Sequence, residues 1–309
     1  MLELIRHLRD AIRSVYIGNP GAVDRVICCL LARGHLLIED VPGVGKTLLA
    51  AAIARSVECS FSRIQLTPDM LPADLLGVTI FDRDAAQFAF KPGPIFANLV
   101  LADEINRTTP RTQTALLEAM NEGNVSIDGI VHRLDPPFMV VATQNPYEFE
   151  GTYPLPENQL DRFLMRIRLG YPAPDDERDI LLRRPASTAL DSLRPAIRKD
   201  ELLDLQRRTD LIKVDRSLLD YVVSFANATR RHDRLRLGLS PRGALALTQA
   251  ARATALYQGR DYVIPEDILA NIHAVCAHRV VARSYRDGRE LTTPEQVLTS
   301  IVESIESPV

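Results

Sequence analysis

Glu39-Asp-Val-Pro-Gly-Val-Gly-Lys-Thr-Leu48 decides the fold, because it contains the second half of a phosphate-binding loop. The small residues Gly43 and Gly45 let successive backbone N–H groups turn towards an anion. Lys46 would reach the β- and γ-phosphates, and the Thr47 hydroxyl would ligate Mg²⁺ at a helix N-terminus. The loop residues expected to contact a nucleotide are Pro42, Gly43, Val44, Gly45, Lys46, Thr47 and Leu48. The stretch therefore predicts a nucleoside triphosphate site.

The flanks of this stretch supply the strand and the helix that a phosphate loop needs. His35–Glu39 is a short apolar run suited to a buried strand, and Thr47–Val57 is rich in Ala and Leu, which favours a helix. Asp40 departs from the general pattern, which has a glycine at this position. Strand, loop and helix still follow in the required order, so a chance glycine-rich turn is the weaker alternative.

A second apolar run, Asn98–Glu104, ends in two acidic residues and predicts hydrolytic machinery. Asp103 would hold Mg²⁺ together with Thr47, and would contribute to nucleotide binding in this way. Glu104 would polarise the attacking water, since the end of a strand beside the phosphate loop lies within reach of that water. A strand that merely ends in solvated acids is the alternative.

Three further polar residues are candidates for contact with the reacting phosphate. Asn145 follows the apolar run Phe138–Thr143, so its amide would sense the γ-phosphate at another strand end. Arg162 and Arg242 would neutralise charge on the transferred phosphate, and such an arginine can come from a neighbouring subunit. A turn asparagine before Pro146 and ordinary surface ion pairs are the alternatives.

Motifs spread along nearly the whole chain share one family pattern. They are Gly34–Asp40, Ala102–Arg107, Gln113–Met120, Ala142–Pro146, Gly151–Pro156, Gln159–Phe163, Ser240–Arg242, Gly259–Val263 and Pro265–Asp267. On these motifs the chain resembles the MoxR family of AAA+ ATPases. The resemblance implies ATP and Mg²⁺ as cofactors, and in that family the phosphate loop commonly begins with an acidic residue.

The resemblance also assigns roles to the candidate residues. Lys46 and Thr47 would form Walker A, Asp103 and Glu104 Walker B, and Asn145 sensor one. Arg162 would be an arginine finger donated to a neighbouring subunit, and Arg242 would be sensor two, acting either in its own subunit or in the next. Arg107 and Arg111 are weaker candidates for interface contacts. The backbone near Val15–Gly18 resembles the segment that lines the adenine pocket.

The expected fold class is α/β, an AAA+ P-loop core followed by a small all-α lid. Strands that alternate with helices predict a mostly parallel sheet, covered on both faces, and the resemblance implies five strands. We expect the core with two N-terminal helices at residues 1–172, a linker at 173–200 and the lid at 201–309. The pattern beyond the linker is wholly helical.

Two hairpins are expected as insertions in the core. Val78–Asp82 and Gln87–Phe90 alternate as a hairpin would, as do Val125–Gly129 and Ile130–Leu134, and Asp128-Gly129 is a typical turn pair. Both hairpins would face the central surface of a ring. Phe88, Phe90 and Arg133 are candidates for contact with a client, although packing on their own domain explains them equally well.

The charge balance disfavours nucleic acid as a partner. The chain has 37 Lys and Arg against 40 Asp and Glu, with a net charge of −3, so it lacks the basic field that attracts a duplex. It contains 0 Trp, 8 Tyr and 9 Phe, which offers little surface for base stacking.

Cysteine usage and hydropathy predict a cytoplasmic protein. Cys28, Cys29, Cys59 and Cys276 lie in apolar surroundings without C-x-x-C spacing, so we expect buried free thiols and a reducing compartment. We expect neither a membrane span nor a signal peptide, because the apolar runs fall short of the length that a span needs and the N-terminal pattern is amphipathic with acidic residues.

Three functional hypotheses follow. The first, favoured by the resemblance, is a homo-oligomeric ring, a hexamer, that uses ATP hydrolysis to remodel a client protein. It extends to metal or cofactor insertion alongside proteins with von Willebrand A domains. The second is a nucleic-acid-dependent motor, since related AAA+ proteins translocate DNA. The third is a nucleotide-gated scaffold in which hydrolysis is incidental.

Overall fold

The centre of the computed structural model is a five-stranded sheet. The structure describes residues 2–146, 151–183, 187–283 and 292–306. The described helices are α1 (Leu2–Val15), α2 (Pro20–Leu31), α3 (Lys46–Ser56), α4 (Pro72–Leu76), α5 (Pro110–Glu122), α6 (Glu157–Leu160), α7 (Pro174–Arg183), α8 (Ser187–Ser192), α9 (Lys199–Leu211), α10 (Arg216–Arg231), α11 (Pro241–Tyr257), α12 (Pro265–Cys276) and α13 (Pro294–Ser304). The described strands are β1 (Leu36–Glu39), β2 (Phe61–Gln65), β3 (Gly77–Asp82), β4 (Gln87–Pro92), β5 (Leu99–Asp103), β6 (Asn124–Ile127), β7 (Ile130–Arg133), β8 (Met139–Gln144), β9 (Met165–Ile167), β10 (Leu235–Leu237) and β11 (Val281–Ala282).

The sheet is parallel throughout, with the strand order β2-β5-β8-β1-β9. Every residue of β1 and β5 is buried, as expected for strands covered on both faces. The carboxyl ends of β5, β8 and β1 are therefore neighbours at one edge of the sheet. This arrangement confirms the predicted α/β fold with a five-stranded core and a helical lid.

Both predicted hairpins are present as antiparallel pairs, β3 with β4 and β6 with β7. Asp128 and Gly129 have φ values of 51° and 78°, so the second hairpin has the predicted turn, which needs positive φ at both residues. The ring of Phe90 in β4 stacks on the ring of His132 in β7, with centroids 3.9 Å apart. The stack packs the two hairpins against each other.

The lid is helical, as predicted, apart from one short strand pair that the sequence pattern did not indicate. Strands β10 and β11 form a short antiparallel pair between its helices. Strands of three and two residues are too short to show an alternating pattern in the sequence. Helices α7 and α8 lie in the stretch predicted as a linker, and α9 begins at Lys199. The boundaries of the domains stay a prediction.

The N-terminal helices pack against the lid as well as the core. Helix α2 lies against α9 and α11 of the lid. The side chain of Gln206 in α9 donates a 2.7 Å hydrogen bond to the backbone oxygen of Leu30 in α2. Asn271 and Cys28 both contact the hydroxyl of Thr254 in α11, the thiol at 3.9 Å. Helix α2 therefore joins the two parts of the molecule.

The thiols are free, and their burial is as predicted at all but one position. Cys28, Cys29 and Cys276 are buried, whereas Cys59 is only half-buried because it lies in the turn between α3 and β2. Within the ranges that the structure describes, no helix has both the length and the apolar character to cross a bilayer.

A buried histidine fixes the start of β1. His35 Nδ1 accepts a 3.0 Å hydrogen bond from the backbone N–H of Val140, so Nε2 carries the proton and donates to the backbone oxygen of Met120, also at 3.0 Å. Burial lowers the pKa of His35 to about 4. The neutral ring ties β1 to β8 and to the end of α5.

We expect acid to destabilise the protein in part through His35. Because the folded-state pKa lies below the ordinary value of 6.5, the unfolded chain takes up the proton first, and stability is lost as the pH falls from 6.5 towards about 4. The free energy of unfolding should fall by about 1.4 kcal/mol for each pH unit per proton. Urea unfolding of the wild type and of His35→Gln over this range measures the contribution. The variant should be less stable above pH 7 but should lose less stability on acidification, and equal losses would contradict the prediction.

Candidate active site

The phosphate loop connects β1 to α3 and leaves the N-terminus of α3 open to an anion. Gly43 and Gly45 have φ values of 86° and 87°, a region that only glycine occupies readily. A Cβ atom on Gly45 would lie 3.3 Å from the ring of Tyr16, so the loop also packs closely on the segment after α1. Gly45 is the N-cap of α3 and has no side chain to bond the first N–H groups. Those groups are available to a phosphate.

Asp40 anchors the phosphate loop to the end of β9. Its Oδ2 accepts hydrogen bonds from the backbone N–H groups of Leu169 and Gly170, at 2.7 and 2.8 Å, and its Oδ1 accepts from the N–H of Val41 at 2.9 Å. Its backbone oxygen accepts a 2.7 Å hydrogen bond from Lys46 Nζ. The acidic residue at the start of the loop therefore has a structural role, since a glycine has no side chain to accept these hydrogen bonds.

Thr47 and Asp103 meet at the edge of the sheet, as the sequence predicts. The Thr47 hydroxyl lies 3.4 Å from Asp103 Oδ2, and Thr143 donates a 2.6 Å hydrogen bond to Oδ1 of the same carboxylate. Arg63 in β2 also reaches Oδ2, at 2.9 Å. Hydroxyl and carboxylate oxygens are the ligands that Mg²⁺ prefers, so this pair fits the metal.

Glu104 is held in a strained backbone conformation at the end of β5. Its φ and ψ are 58° and 53°, in the left-handed region that costs a residue with a side chain of order 1–3 kcal/mol. Its N–H donates a 2.9 Å hydrogen bond to the hydroxyl of Thr143. Gln65 Nε2 and Arg107 Nε contact its Oε2 at 2.8 and 3.2 Å. The strain and the two partners fix the direction of the candidate base.

Asn145 directly follows β8, whose last residue contacts Lys46. The backbone oxygen of Gln144, the preceding residue, lies 3.4 Å from Lys46 Nζ. The backbone oxygen of Asn145 itself accepts a 3.4 Å hydrogen bond from the side chain of Asn106. Three strand ends thus bring together Lys46, Thr47, Asp103, Glu104 and Asn145.

Tyr16, in the segment predicted to line the adenine pocket, lies against the phosphate loop. Its ring is buried and packs on Gly45. Burial, with a smaller contribution from the charge of Asp40, raises the pKa of Tyr16 to about 12. A neutral ring therefore forms the wall between α1 and the loop.

Arg162 lies at the opposite edge of the sheet from the phosphate loop. The N–H of Leu164 donates a 2.8 Å hydrogen bond to the backbone oxygen of His35, which precedes β1, whereas the phosphate loop follows β1. The length of β1 thus separates them, about 13 Å at 3.3 Å per residue. Arg162 NH1 donates a 2.6 Å hydrogen bond to the backbone oxygen of Leu117 in α5, which holds the side chain against that helix.

Arg242 lies beside Arg162 and not beside the phosphate loop. It is in the first turn of α11, where its NH2 donates a 2.6 Å hydrogen bond to the side chain of Asn121. Its Nε lies 3.8 Å from a carboxylate oxygen of Asp161, the residue before Arg162. The structure therefore places the phosphate loop with Asp103, Glu104 and Asn145 at one edge and the pair of arginines at the other.

Sequence patterns did not predict Arg63, Gln65 or Thr143 as parts of the site. Strand register brings Gln65 opposite Asp103, and Arg63 on the same face of β2 reaches that carboxylate. The alternation along Phe61–Gln65 could have placed both side chains on one face, but not opposite those acids. Thr143 is the last residue of the apolar run Phe138–Thr143, and the pattern marks it only as part of the strand.

Comparisons with known proteins agree with this geometry. Residues 35–165 match the model of the ATPase family associated with various cellular activities (AAA), and residues 227–301 match the AAA lid domain. A solved structure from Cytophaga hutchinsonii, described provisionally as an ATPase, superposes with a TM-score of 0.91 at 35% identity, over 99% of this chain and 95% of that one.

Two relatives carry the name of the family. Chaperone MoxR1 of Mycobacterium tuberculosis is 41% identical over 96% of this chain and 80% of its own length. Protein MoxR of Methylorubrum extorquens is 31% identical over 98% of this chain and 94% of its own length. A Bacillus subtilis protein named Uncharacterized protein YeaC is 46% identical over 97% of this chain and 93% of its own length. With these relatives and with the fold and site described above, the chain belongs to the MoxR family of AAA+ ATPases.

Proposed function

We propose that this chain binds ATP with Mg²⁺ at its phosphate loop and hydrolyses it at sites shared between the subunits of a homo-oligomeric ring, a hexamer. The observation that carries the proposal is the division of the candidate residues. Lys46 and Glu104 lie at one edge of the sheet, whereas Arg162 is bonded to α5 at the other. A second copy that places its Arg162 against this phosphate loop would complete the site.

Each candidate residue at the edge of the sheet that carries the phosphate loop has a separate task in hydrolysis. Lys46 binds the β- and γ-phosphates, and the N–H groups of the first turn of α3 hold the same oxygens. Thr47 and Asp103 would hold Mg²⁺, which supplies neutralisation of phosphate charge. Glu104 orients the attacking water and accepts its proton, and Gln65 and Arg107 hold the carboxylate in place. The Asn145 amide orients a γ-phosphate oxygen.

The arginine pair supports action across the subunit boundary for both members. Arg242 is joined to Asn121 and Asp161 next to Arg162, so both guanidinium groups belong to one surface of the subunit. An arginine brought to a phosphoryl transfer site from outside typically accelerates the reaction by 10³–10⁵-fold. We therefore assign sensor two, as well as the finger, to the neighbouring subunit's site.

Exposed apolar side chains on the hairpins support a protein client. Phe88 is 74% exposed, and Ile130 and Val131 are 62% and 61% exposed, at the two hairpin ends. Phe90, in contrast, is packed on His132 and Phe96. Apolar surface of this kind suits a protein partner more than a nucleic acid, whose backbone requires Lys and Arg.

The nature of the client rests on family resemblance. One relative is named a chaperone, which supports remodelling of a partner protein. Metal or cofactor insertion and a partner with a von Willebrand A domain rest on the MoxR resemblance alone. The cytoplasm as the location rests on composition and free thiols.

Replacement of Glu104 by Gln should separate ATP binding from hydrolysis. The phosphate loop is untouched, so ATP affinity should persist, while turnover should fall by about 10²–10⁴-fold because the base is lost. Equilibrium binding of ATP and phosphate release measure the two effects. Glu303→Gln, an exposed change in α13, is the control. Unchanged turnover in Glu104→Gln would exclude Glu104 as the base, and partner release that tracks ATP binding in this variant would favour the scaffold.

Replacement of Arg162 by Ala should abolish turnover without unfolding the subunit. Within the described residues the change removes one hydrogen bond, to Leu117, but every shared site loses its finger, so the rate should fall on the order of 10³-fold or more. Turnover should be followed against protein concentration, with native mass determined in parallel under ATP. Arg216→Ala, whose side chain is 93% exposed in the lid, is the control.

The concentration series tests the shared site directly. Turnover per subunit should rise with protein concentration as the ring assembles, because a lone subunit lacks a finger at its phosphate loop. Constant turnover per subunit at dilutions where only monomer is detected would contradict action across the boundary. Stimulation by duplex DNA with a steep salt dependence would instead favour the nucleic-acid motor.

A further inference from the structure

Arg279, just after α12 in the lid, is a buried arginine with several bonds to the segment that carries Arg162. It is 6% exposed. Its Nε donates to Asp161 Oδ1 at 2.7 Å, which forms a partly buried ion pair. Its remaining donors reach the backbone oxygens of Asp161 at 3.1 Å, Phe163 at 2.6 Å, Leu164 at 3.0 Å and Val275.

These bonds bracket Arg162. Three of the carbonyl groups bonded by Arg279 belong to the residue before Arg162 and to the two residues after it. A planar guanidinium with donors in fixed directions can hold several acceptors at once, which a lysine ammonium cannot do with the same geometry. Arg279 therefore fixes the backbone from which the Arg162 side chain projects.

The same cluster includes the start of the helix that carries Arg242. Asp161 Oδ2 lies 3.8 Å from Arg242 Nε while Oδ1 pairs with Arg279. A Cβ atom on Gly243 would lie 3.1 Å from Arg279 Cδ and 2.5 Å from the Leu239 side chain. The glycine after Arg242 therefore leaves room for the stem of Arg279, and α11 packs directly on it.

Stability alone is a weak reason for such a cluster. Desolvation of a buried ion pair typically offsets its attraction, and apolar residues of similar volume are often as stabilising. A guanidinium that is bonded to one carboxylate and to the carbonyl groups on both sides of Arg162 has a more specific effect. It determines where Arg162 and Arg242 lie relative to each other.

We propose that Arg279 is a positioning residue that holds Arg162 of the core and Arg242 of the lid as one unit for the active site of the neighbouring subunit. The inference rests on the proposed shared site. It adds that the lid controls the finger, because the group that fixes the Arg162 backbone belongs to the lid. A shift of α12 relative to the sheet would move the finger of the same subunit.

Arg279→Lys keeps the charge and loses the multiple bonds. The expected result is a fall in kcat of about 100-fold, because a displacement near 1 Å is enough for such a loss. KM for ATP and ring mass under ATP should stay unchanged, since the variant's own phosphate loop is intact. Arg260→Lys is the matched control, because Arg260 also forms a lid ion pair, with Asp267, at 2.6 and 2.7 Å, but lies in a different contact. It should leave kcat unchanged.

Mixed rings distinguish positioning from damage to the fold. Subunits are mixed as monomers before ATP is added. Glu104→Gln subunits are inactive at their own phosphate loop but donate an intact finger, so they should restore turnover when mixed with Arg279→Lys subunits. Arg162→Ala subunits need a finger from their neighbour, so they should gain nothing from Arg279→Lys subunits.

The outcomes separate the inference from the function on which it rests. Mixing Glu104→Gln with Arg162→Ala must restore turnover; if it does not, the shared site itself is wrong. Two results would show, once that control works, that Arg279 does not position the finger. One is turnover in the mixture of Arg279→Lys and Arg162→Ala subunits. The other is a mixture of Arg279→Lys and Glu104→Gln subunits that stays as slow as Arg279→Lys alone. Unchanged kcat in Arg279→Lys also overturns the inference. Asp161→Asn, which removes the charge opposite Arg279, should repeat the expected pattern and serves if Arg279→Lys does not fold.

Discussion

The parallel arrangement of the central sheet is the constraint on which the rest of the structure depends. Parallel strands all end at the same edge, so the phosphate loop after β1, the acids after β5 and the amide after β8 must meet there. The same rule places the entry to β9 at the other edge. The segment that carries Arg162 leads into β9, and it is therefore separated from its own phosphate loop by the length of a strand.

Features that depend on chain neighbours could be predicted from the sequence. Asp103 ends one apolar run, Asn145 comes two residues after another, and Lys46 lies in the loop after a third, so strand prediction alone places them at one edge. The hairpins carry their own turn residues, such as Asp128 and Gly129. Contacts that depend on register could not be predicted in this way, because a shift of one residue moves every side chain to the opposite face. The pairing of Gln65 with Glu104 and of Arg63 with Asp103 is of that kind.

Contacts between core and lid are the other part that sequence patterns do not show. Arg279 reaches Leu164 across 115 residues of chain, and it has no motif of its own. Its burial results from the way α12 packs beside β9. The roles of Asp40 and Gly243 also become clear only in three dimensions. Asp40 accepts hydrogen bonds from backbone N–H groups just after β9, and Gly243 leaves room for the aliphatic part of the Arg279 side chain.

The position of α2 between core and lid has a consequence for synthesis on the ribosome. Leu30 is made 176 residues before Gln206, the side chain that bonds to it. At 5–20 residues per second this interval lasts roughly 9–35 s. Helix α2, which includes the buried residues Val23, Val26 and Ile27, lacks its contacts with α9 and α11 throughout that time. The nascent chain thus presents an apolar helix to its surroundings during this time. Early protection from aggregation therefore matters more for this protein than for one whose N-terminal helices pack only on nearby sequence.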